Sequence, residues 1–312
     1  MPQTFLDYNG QVDKLVNEKD LTVNDRNYAI EMLTRYGYFS LIGGYKNIFI
    51  NRSVRKYKRG TTFEDIVNLY RFDEELRSLF LKNILKFERK LHSVISYHFT
   101  QIYGEKQIFY LDRNNYNYIP QYRQGIDELI RKLSNLANGS TDYAYIKYHK
   151  SKYGNVPLWV LINAVTLGTV SRFYMYSKPS LQSKISIDFP DLNEKQLGQI
   201  LSVITKFRNV CAHGERLFTY KTKDGIGDLL LHKKLSIPIR KGKYLYGKND
   251  LFSVVVSLRY VLSNEEFVAF KNELMRLITQ LVTITSLTEN DLLSAMGFPN
   301  NWKKITLYRK IS

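Results

Sequence analysis

Apolar residues recur at helical spacing along most of the chain. The clearest run is Ile66, Leu69, Tyr70, Leu76, Leu79, Phe80, Ile84, Phe87, Leu91, Ile95 and Phe99. It sustains a period near 3.6 for about ten turns. Thr61 precedes it with Glu64 three residues on, a capping-box spacing. The run predicts one long helix, with at most one break, ending before Gly104. Shorter helical patterns cover 21–38, 126–136 and 143–148, and the Asn- and Tyr-rich stretch 105–122 reads as a loop. Pro157 suits the first turn of a helix running through Trp159, Leu161, Ile162, Val165 and Val170 to Tyr176. Leu197, Ile200, Leu201, Ile204, Phe207 and Cys211 mark another helix, with Asp191 or Asn193 to cap it and Gly214 to stop it. Segments 251–262 and 265–285 follow, the second with Asn264 as N-cap, then a short helix over 288–296. Trp159 and Phe207 read as core.

This pattern predicts an all-α fold: a helical bundle with additional N- and C-terminal helices and at most a small β-hairpin, near 241–246. No Gly-, Ser- and Pro-rich linker divides the chain, so 1–312 is expected to be one helical domain. Within it we expect a core over 60–220, a basic loop or hairpin insertion over 221–250, and C-terminal helices over 251–312.

Charge changes the picture next. Forty-six Lys and Arg against 29 Asp and Glu leave a formal net charge of +17. Such a field attracts polyanions. A Lys-rich solvated surface is the plain alternative. The single cysteine, Cys211, rules out an internal disulfide or a Cys-built zinc site and reads as a small buried hydrophobe. No apolar run reaches the roughly 20 residues of a membrane span. Neither that nor the N-terminus suggests export, so a soluble, cytoplasmic protein without membrane association is expected.

The candidate chemistry lies in Arg208-Asn209-Val210-Cys211-Ala212-His213-Gly214. Histidine can move protons near neutral pH, so His213 can serve as acid or base on a ribose 2′-OH or a leaving oxygen. Arginine is permanently charged and binds phosphate with a planar fork, so Arg208 can stabilise developing phosphoryl charge. Asn209 can orient either group. The 2′-OH attack requires no metal or other cofactor, and no carboxylate cluster adjoins the motif, only Glu215. Five residues turn a helix by about 500°, which leaves Arg208 and His213 on different faces. They converge only if His213 leaves the helix, or if a second copy brings its own pair to a shared cleft. A purely structural reading also fits: the Arg pairs with a carboxylate and the His sits favourably on the helix dipole. An acidic residue on a neighbouring helix, such as Glu88, would hold Arg208 in place. His92 and His98 read as packing histidines on the long helix.

The sequence resembles the Abi-like proteins of the AbiD/AbiF abortive-infection type, within the HEPN superfamily. Four blocks carry the likeness, in the family's order over roughly residues 30–220. They are Tyr36-Gly37-Tyr38 through Gly43-Gly44-Tyr45; Thr62-Phe63-Glu64 through Tyr70-Arg71-Phe72-Asp73 and Leu76-Arg77 to Glu88-Arg89; Pro157-Leu158-Trp159 through Leu167-Gly168-Thr169; and Arg208-Asn209 through His213 to Arg216-Leu217. The resemblance implies a HEPN-like helical fold, a metal-independent endoribonuclease using Arg208 and His213, and a role in anti-phage defence that harms the infected cell. It also implies an RNA partner, since some relatives are associated with a small non-coding RNA. With one motif per chain, a two-motif site would require a homodimer through the motif helix. Otherwise the chain cleaves with one motif or only binds structured RNA.

Cations interleaved with tyrosine mark where RNA would sit, because cations neutralise phosphates and tyrosines stack on unpaired bases. One patch is Arg52, Arg55, Lys56, Tyr57, Lys58 and Arg59. Another is Lys233, Lys234, Arg240, Lys241, Lys243, Tyr244 and Tyr246, and Arg216 lies just past the motif. A third is Lys303, Lys304, Tyr308, Arg309 and Lys310.

Overall fold

A computed structural model describes residues 5–139 and 141–308, so Arg309 and Lys310 of the third basic patch lie outside the described residues. The chain opens with α1 (Tyr8–Asn17) and α2 (Arg26–Tyr36), a π turn over Phe39–Gly43, and a short antiparallel pair, β1 (Ile50–Asn51) and β2 (Lys56–Tyr57). The long helix α3 (Phe63–Tyr103) follows, then α4 (Gln107–Leu111), α5 (Arg123–Asn138), α6 (Ala144–Tyr153), α7 (Leu158–Leu161), α8 (Leu167–Tyr176), α9 (Pro179–Ile187) and α10 (Glu194–Ala212). Beyond them lie α11 (Leu230–Lys234), a second pair, β3 (Ile239–Arg240) and β4 (Lys243–Tyr244), then α12 (Leu251–Val261), α13 (Asn264–Ile284) and α14 (Glu289–Met296).

The fold is all-α. The hairpin expected near 241–246 forms from β3 and β4, and the first basic patch forms a second one that the hydrophobic pattern did not announce. Among the described residues no helix is long and apolar enough to cross a membrane.

α3 is unbroken for 41 residues and ends at Gly104, whose φ of +100° a side chain rarely adopts. Its N-cap is Thr62, one residue later than expected, in a capping box with Asp65. Asp65 wins over Glu64 because it does two jobs. It accepts from the Thr62 amide, and from the Ser286 amide and hydroxyl beyond the end of α13. Glu64 turns outward to Asn24.

Aromatic side chains fix what surrounds α3 along its length. Phe80 meets Phe270 of α13 edge-on at 5.2 Å, Phe87 meets Phe189 after α9 at 5.7 Å, and Phe99 meets Phe173 of α8 at 5.5 Å. Such pairs add roughly 0.5–1.5 kcal/mol each beyond their buried area. α10 packs across the middle of α3 and buries Leu197, Ile200, Leu201, Ile204, Phe207 and Cys211, the predicted stripe.

Several boundaries differ from the sequence pattern. The helix expected from Pro157 to Tyr176 is two: α7 passes into a 3-10 turn, the chain extends at Val165 (ψ 150°), and Thr166 caps α8 anew. Ser263, in a capping box with Glu266, caps α13, and Asn264 is its first residue. The stretch 105–122 holds α4 and a 3-10 turn, and α1 and α9 lie outside the helices expected from the sequence, α9 for want of periodicity. Trp159 is not core: its side chain is 44% exposed.

Asp65 joins two distant elements, so Asp65→Ala should lower unfolding free energy by about 2 kcal/mol, through the lost cap and the orphaned Ser286. Thr62→Ala, which loses only the cap, should cost about 1 kcal/mol. Urea titration followed by circular dichroism checks both.

A candidate active site at the end of the motif helix

α10 ends where its sequence says it should. His213 is the C-cap, with φ −90° and ψ 2°, and so leaves the regular helix. Gly214 follows at φ +69°. The Glu215 amide donates to the Val210 carbonyl at 3.1 Å and the Gly214 amide to Cys211 at 3.4 Å. This paired closure is a Schellman motif, which needs a left-handed residue at its centre, and glycine takes that conformation without strain. It leaves the His213 side chain exposed.

The chain beyond is pinned from below by a buried carboxylate. Asp73, on α3, is 0% exposed. It accepts from the Leu217 amide at 2.9 Å, the Phe218 amide at 2.8 Å, the Tyr45 hydroxyl at 2.7 Å and Arg77 Nη1 at 2.9 Å. Burial pushes its carboxyl above the usual range, and these donors push back. Arg77 also donates to the Glu215 carbonyl at 3.3 Å, and Phe218 stacks on Tyr45 with centroids 5.6 Å apart. Arg216, exposed, donates to the Gly44 carbonyl.

Arg208 points the other way. Its Nε lies 3.9 Å from Glu88 Oε2, and both atoms are buried without a hydrogen-bond partner. Burial pushes the Glu88 carboxyl up, opposed by the Arg208 charge and by the Leu167 amide at the start of α8. His92, one turn on, places Nε2 at 3.9 Å from Glu88 Oε1, and burial pushes its imidazole down, opposed by Asn163. Glu88 therefore meets Arg208 as the sequence suggested, and His92 belongs to this cluster rather than to plain packing. The i, i+4 spacing of Glu88 and His92 on α3 was the available signal. Among the described residues no hydrogen bond joins Arg208 to His213.

Asn209 is exposed and lines a groove of about 930 Å³ between α8 and α10, with Arg172, Gly198, Ser202, Thr205 and Lys206. The sequence patches did not include it. Cys211 is buried beneath the motif, and burial pushes its thiol up to about 12. Among the described residues no group of three or more His, Cys, Asp or Glu is placed to hold a metal ion.

The first two basic patches fall at the two hairpins. Arg52, Arg55, Lys56, Lys58 and Arg59 are all exposed on the β1–β2 hairpin, but Tyr57 is buried and cannot stack on a base. Lys56 pairs with Asp20 at 2.9 Å. Lys233, Lys234, Arg240, Lys241 and Lys243 are exposed around β3 and β4, while Tyr244 and Tyr246 are half-buried. Tyr244 spends one face on His232, with centroids 5.0 Å apart. His232 is fully buried and bridges the Leu229 amide and the Gly247 carbonyl, so it holds the hairpin in place.

The Glu88–Arg208 contact carries a pH signature. Arg208→Ala should destabilise the protein by about 1–3 kcal/mol near pH 8, where Glu88 must stay ionised in a buried place. The deficit should shrink as pH falls through the raised carboxyl pKa, because a protonated Glu88 needs no partner. Thermal unfolding of both proteins across pH measures it, and a pH-independent deficit would remove the pairing.

A family model described as Abi-like protein matches residues 31–219. No curated protein and no solved structure matches the chain. The matched span runs from α2 through the motif to the residues that Asp73 holds. It contains Tyr45, Asp73, Arg77, Glu88, Arg208 and His213, and on that span the chain belongs to the Abi-like protein family.

Proposed function

We propose that the protein is a metal-independent endoribonuclease of abortive infection, the anti-phage defence to which its family points. The observation that carries this reading is an exposed histidine standing on a rigid, expensive support. His213 projects from a helix end fixed by a Schellman turn, and the following strand of chain is held by a buried Asp–Arg pair. Burying such a pair is costly, and a hydrophobic substitute often serves stability as well. Its use here is to fix a surface segment, which is what a preorganised site requires.

In this reading His213 removes the proton from a ribose 2′-OH. The 2′-oxygen then bonds to the adjacent phosphorus, and the bond from phosphorus to the 5′-oxygen breaks. The products are a 2′,3′-cyclic phosphate and a 5′-hydroxyl, whose proton comes from a second acid, the His213 of another copy or water. Arg208 stabilises the equatorial phosphoryl oxygens, once drawn toward the phosphate from its place beside Glu88. Asn209 orients the strand from the groove it lines. A homodimer through α10 would pair two motifs in one cleft. The exposed cations of both hairpins and Arg216 supply the field that gathers RNA, target or bound small RNA alike.

Wild type should cleave single-stranded RNA in EDTA and leave cyclic phosphate ends. His213→Ala should lose at least about 100-fold in rate, with RNA affinity and melting temperature unchanged, since the side chain is exposed. Cleavage assays with end-group analysis test this. RNA bound but uncut by both proteins would instead identify a non-cleaving RNA-binding protein using the same surface.

A further inference from the structure

The only other tryptophan, Trp302, is fully buried, yet Trp159 stands 44% exposed on α7. One exposed ring is ordinary on a protein surface; Trp159 stands out because a second exposed ring, Tyr97, shares its cleft. Trp159 forms one side of an open cleft of about 560 Å³ against α3. The rest of the lining is Ser93, Ser96, Tyr97, Thr100 and Gln101. Tyr97 is 64% exposed, and its own ring contact is edge-on to His98 at 5.2 Å. The cleft thus offers two exposed aromatic rings and a set of hydroxyl and amide groups between them. Thr100 Oγ1 is buried there without a hydrogen-bond partner. A cation stands at the edge: Lys184 Nζ lies 3.4 Å from Gln101 Oε1.

We propose that this cleft takes an unpaired nucleobase of the RNA strand on which Arg208 and His213 act. The inference rests on the nuclease reading above and adds a recognition subsite to it. The chemistry is specific to a base. Aromatic faces stack on it, the exposed Ser93 hydroxyl and Gln101 amide meet its polar edge, and Lys184 meets the phosphate beside it. The accessible lining is mainly apolar and aromatic, which suits the faces of a base, and the Lys184 cation at its edge favours a phosphate-bearing partner over another protein.

The cleft lies on α3 as well, beyond Glu88 along the helix and turned around it, with Tyr97 about 180° from Glu88. Glu88, His92 and Ser96 follow at i, i+4 and i+8, and the Ser96 hydroxyl donates to the His92 carbonyl at 2.7 Å. Asn163 joins the two from the other side. Its amide donates to the Trp159 carbonyl at 2.8 Å, and its side chain meets His92. From Glu88 to Tyr97 the helix rises about 13 Å and turns halfway round, so a strand reaching both passes around α3.

Because Trp302 is sealed in the core, a change in tryptophan emission on adding RNA reports on Trp159. The test uses the full chain carrying His213→Ala, in EDTA, titrated with a single-stranded RNA of about 12 nucleotides. Stacking should quench the emission along the same curve as binding followed by anisotropy of labelled RNA. Trp159→Leu should weaken binding roughly 5- to 150-fold, the worth of one stacked base, while Trp159→Phe restores most of it. Both variants should melt with the parent, since the ring is half in solvent.

RNA that binds without quenching, or with equal affinity to Trp159→Leu, overturns the proposal. So does emission that changes with protein concentration alone, which would put a second copy in the cleft. Cleavage by the wild type, run in parallel, separates the two readings. RNA held at Trp159 but never cut removes the nuclease and leaves the subsite. RNA cut with Trp159 silent does the reverse, and no binding at all removes both.

Discussion

The Asp73 carboxylate accepts from Tyr45, from Arg77 and from two consecutive amides, those of Leu217 and Phe218. Each donor comes from a different stretch of sequence except the last two. A carboxylate this deep would be intolerable alone, since an unpaired buried charge costs several kcal/mol. With four donors it becomes a rivet through three segments: the turn after α2, the first half of α3, and the chain leaving the motif helix. The geometry of His213 depends on that rivet at one end and on the Schellman turn at the other. The family match ends at residue 219, just past the last amide that Asp73 receives.

The blocks that carry the family likeness meet in space, and their meeting points are polar. Tyr45, Asp73, Arg77 and Leu217 form one knot, with Arg216 bound to Gly44 beside it. Glu88, Leu167 and Arg208 form the other. Both are built on α3, and both restrain the helix that bears the motif, one past its end and one at its last turn. The aromatic ladder on α3 provides cohesion along the whole rod. These polar knots fix direction, which non-directional hydrophobic packing does not.

Much of the fold was legible because helical periodicity survives in a single sequence. α3, α10, α12 and α13 could be placed from apolar spacing and caps. Boundaries were less so. Thr61 and Thr62 offer overlapping capping boxes, and only the distant Ser286 decides between them. Ser263 and Asn264 pose the same ambiguity, decided by Glu266. Trp159 misled because α7 is only four residues long. Successive residues step by about 100°, so they cannot all face one core, and Leu158, Val160 and Leu161 take the inward directions. Within the site, the Gly214 stop and the exit of His213 followed from local residues. The joining of Glu88 to Arg208 spans 120 positions, and no local pattern encodes such a distance. The basic patches were legible as charge, but Tyr57 and Tyr244 were not legible as occupied rings.

α3 has one further consequence. Its 41 residues form one continuous helix about 60 Å long, without proline or π bulge. Asp73, Glu88 and Tyr97 all ride on it, at axial separations of about 22 and 13 Å. Those three stations cannot move relative to one another along the axis. A signal passing between the cleft at Trp159 and the end of α10 along α3 would travel by side-chain rearrangement, or by a neighbour sliding over it, since the rise between stations is fixed. α3 serves the molecule as a ruler, and the mobile parts of any working cycle are the elements that lie against it.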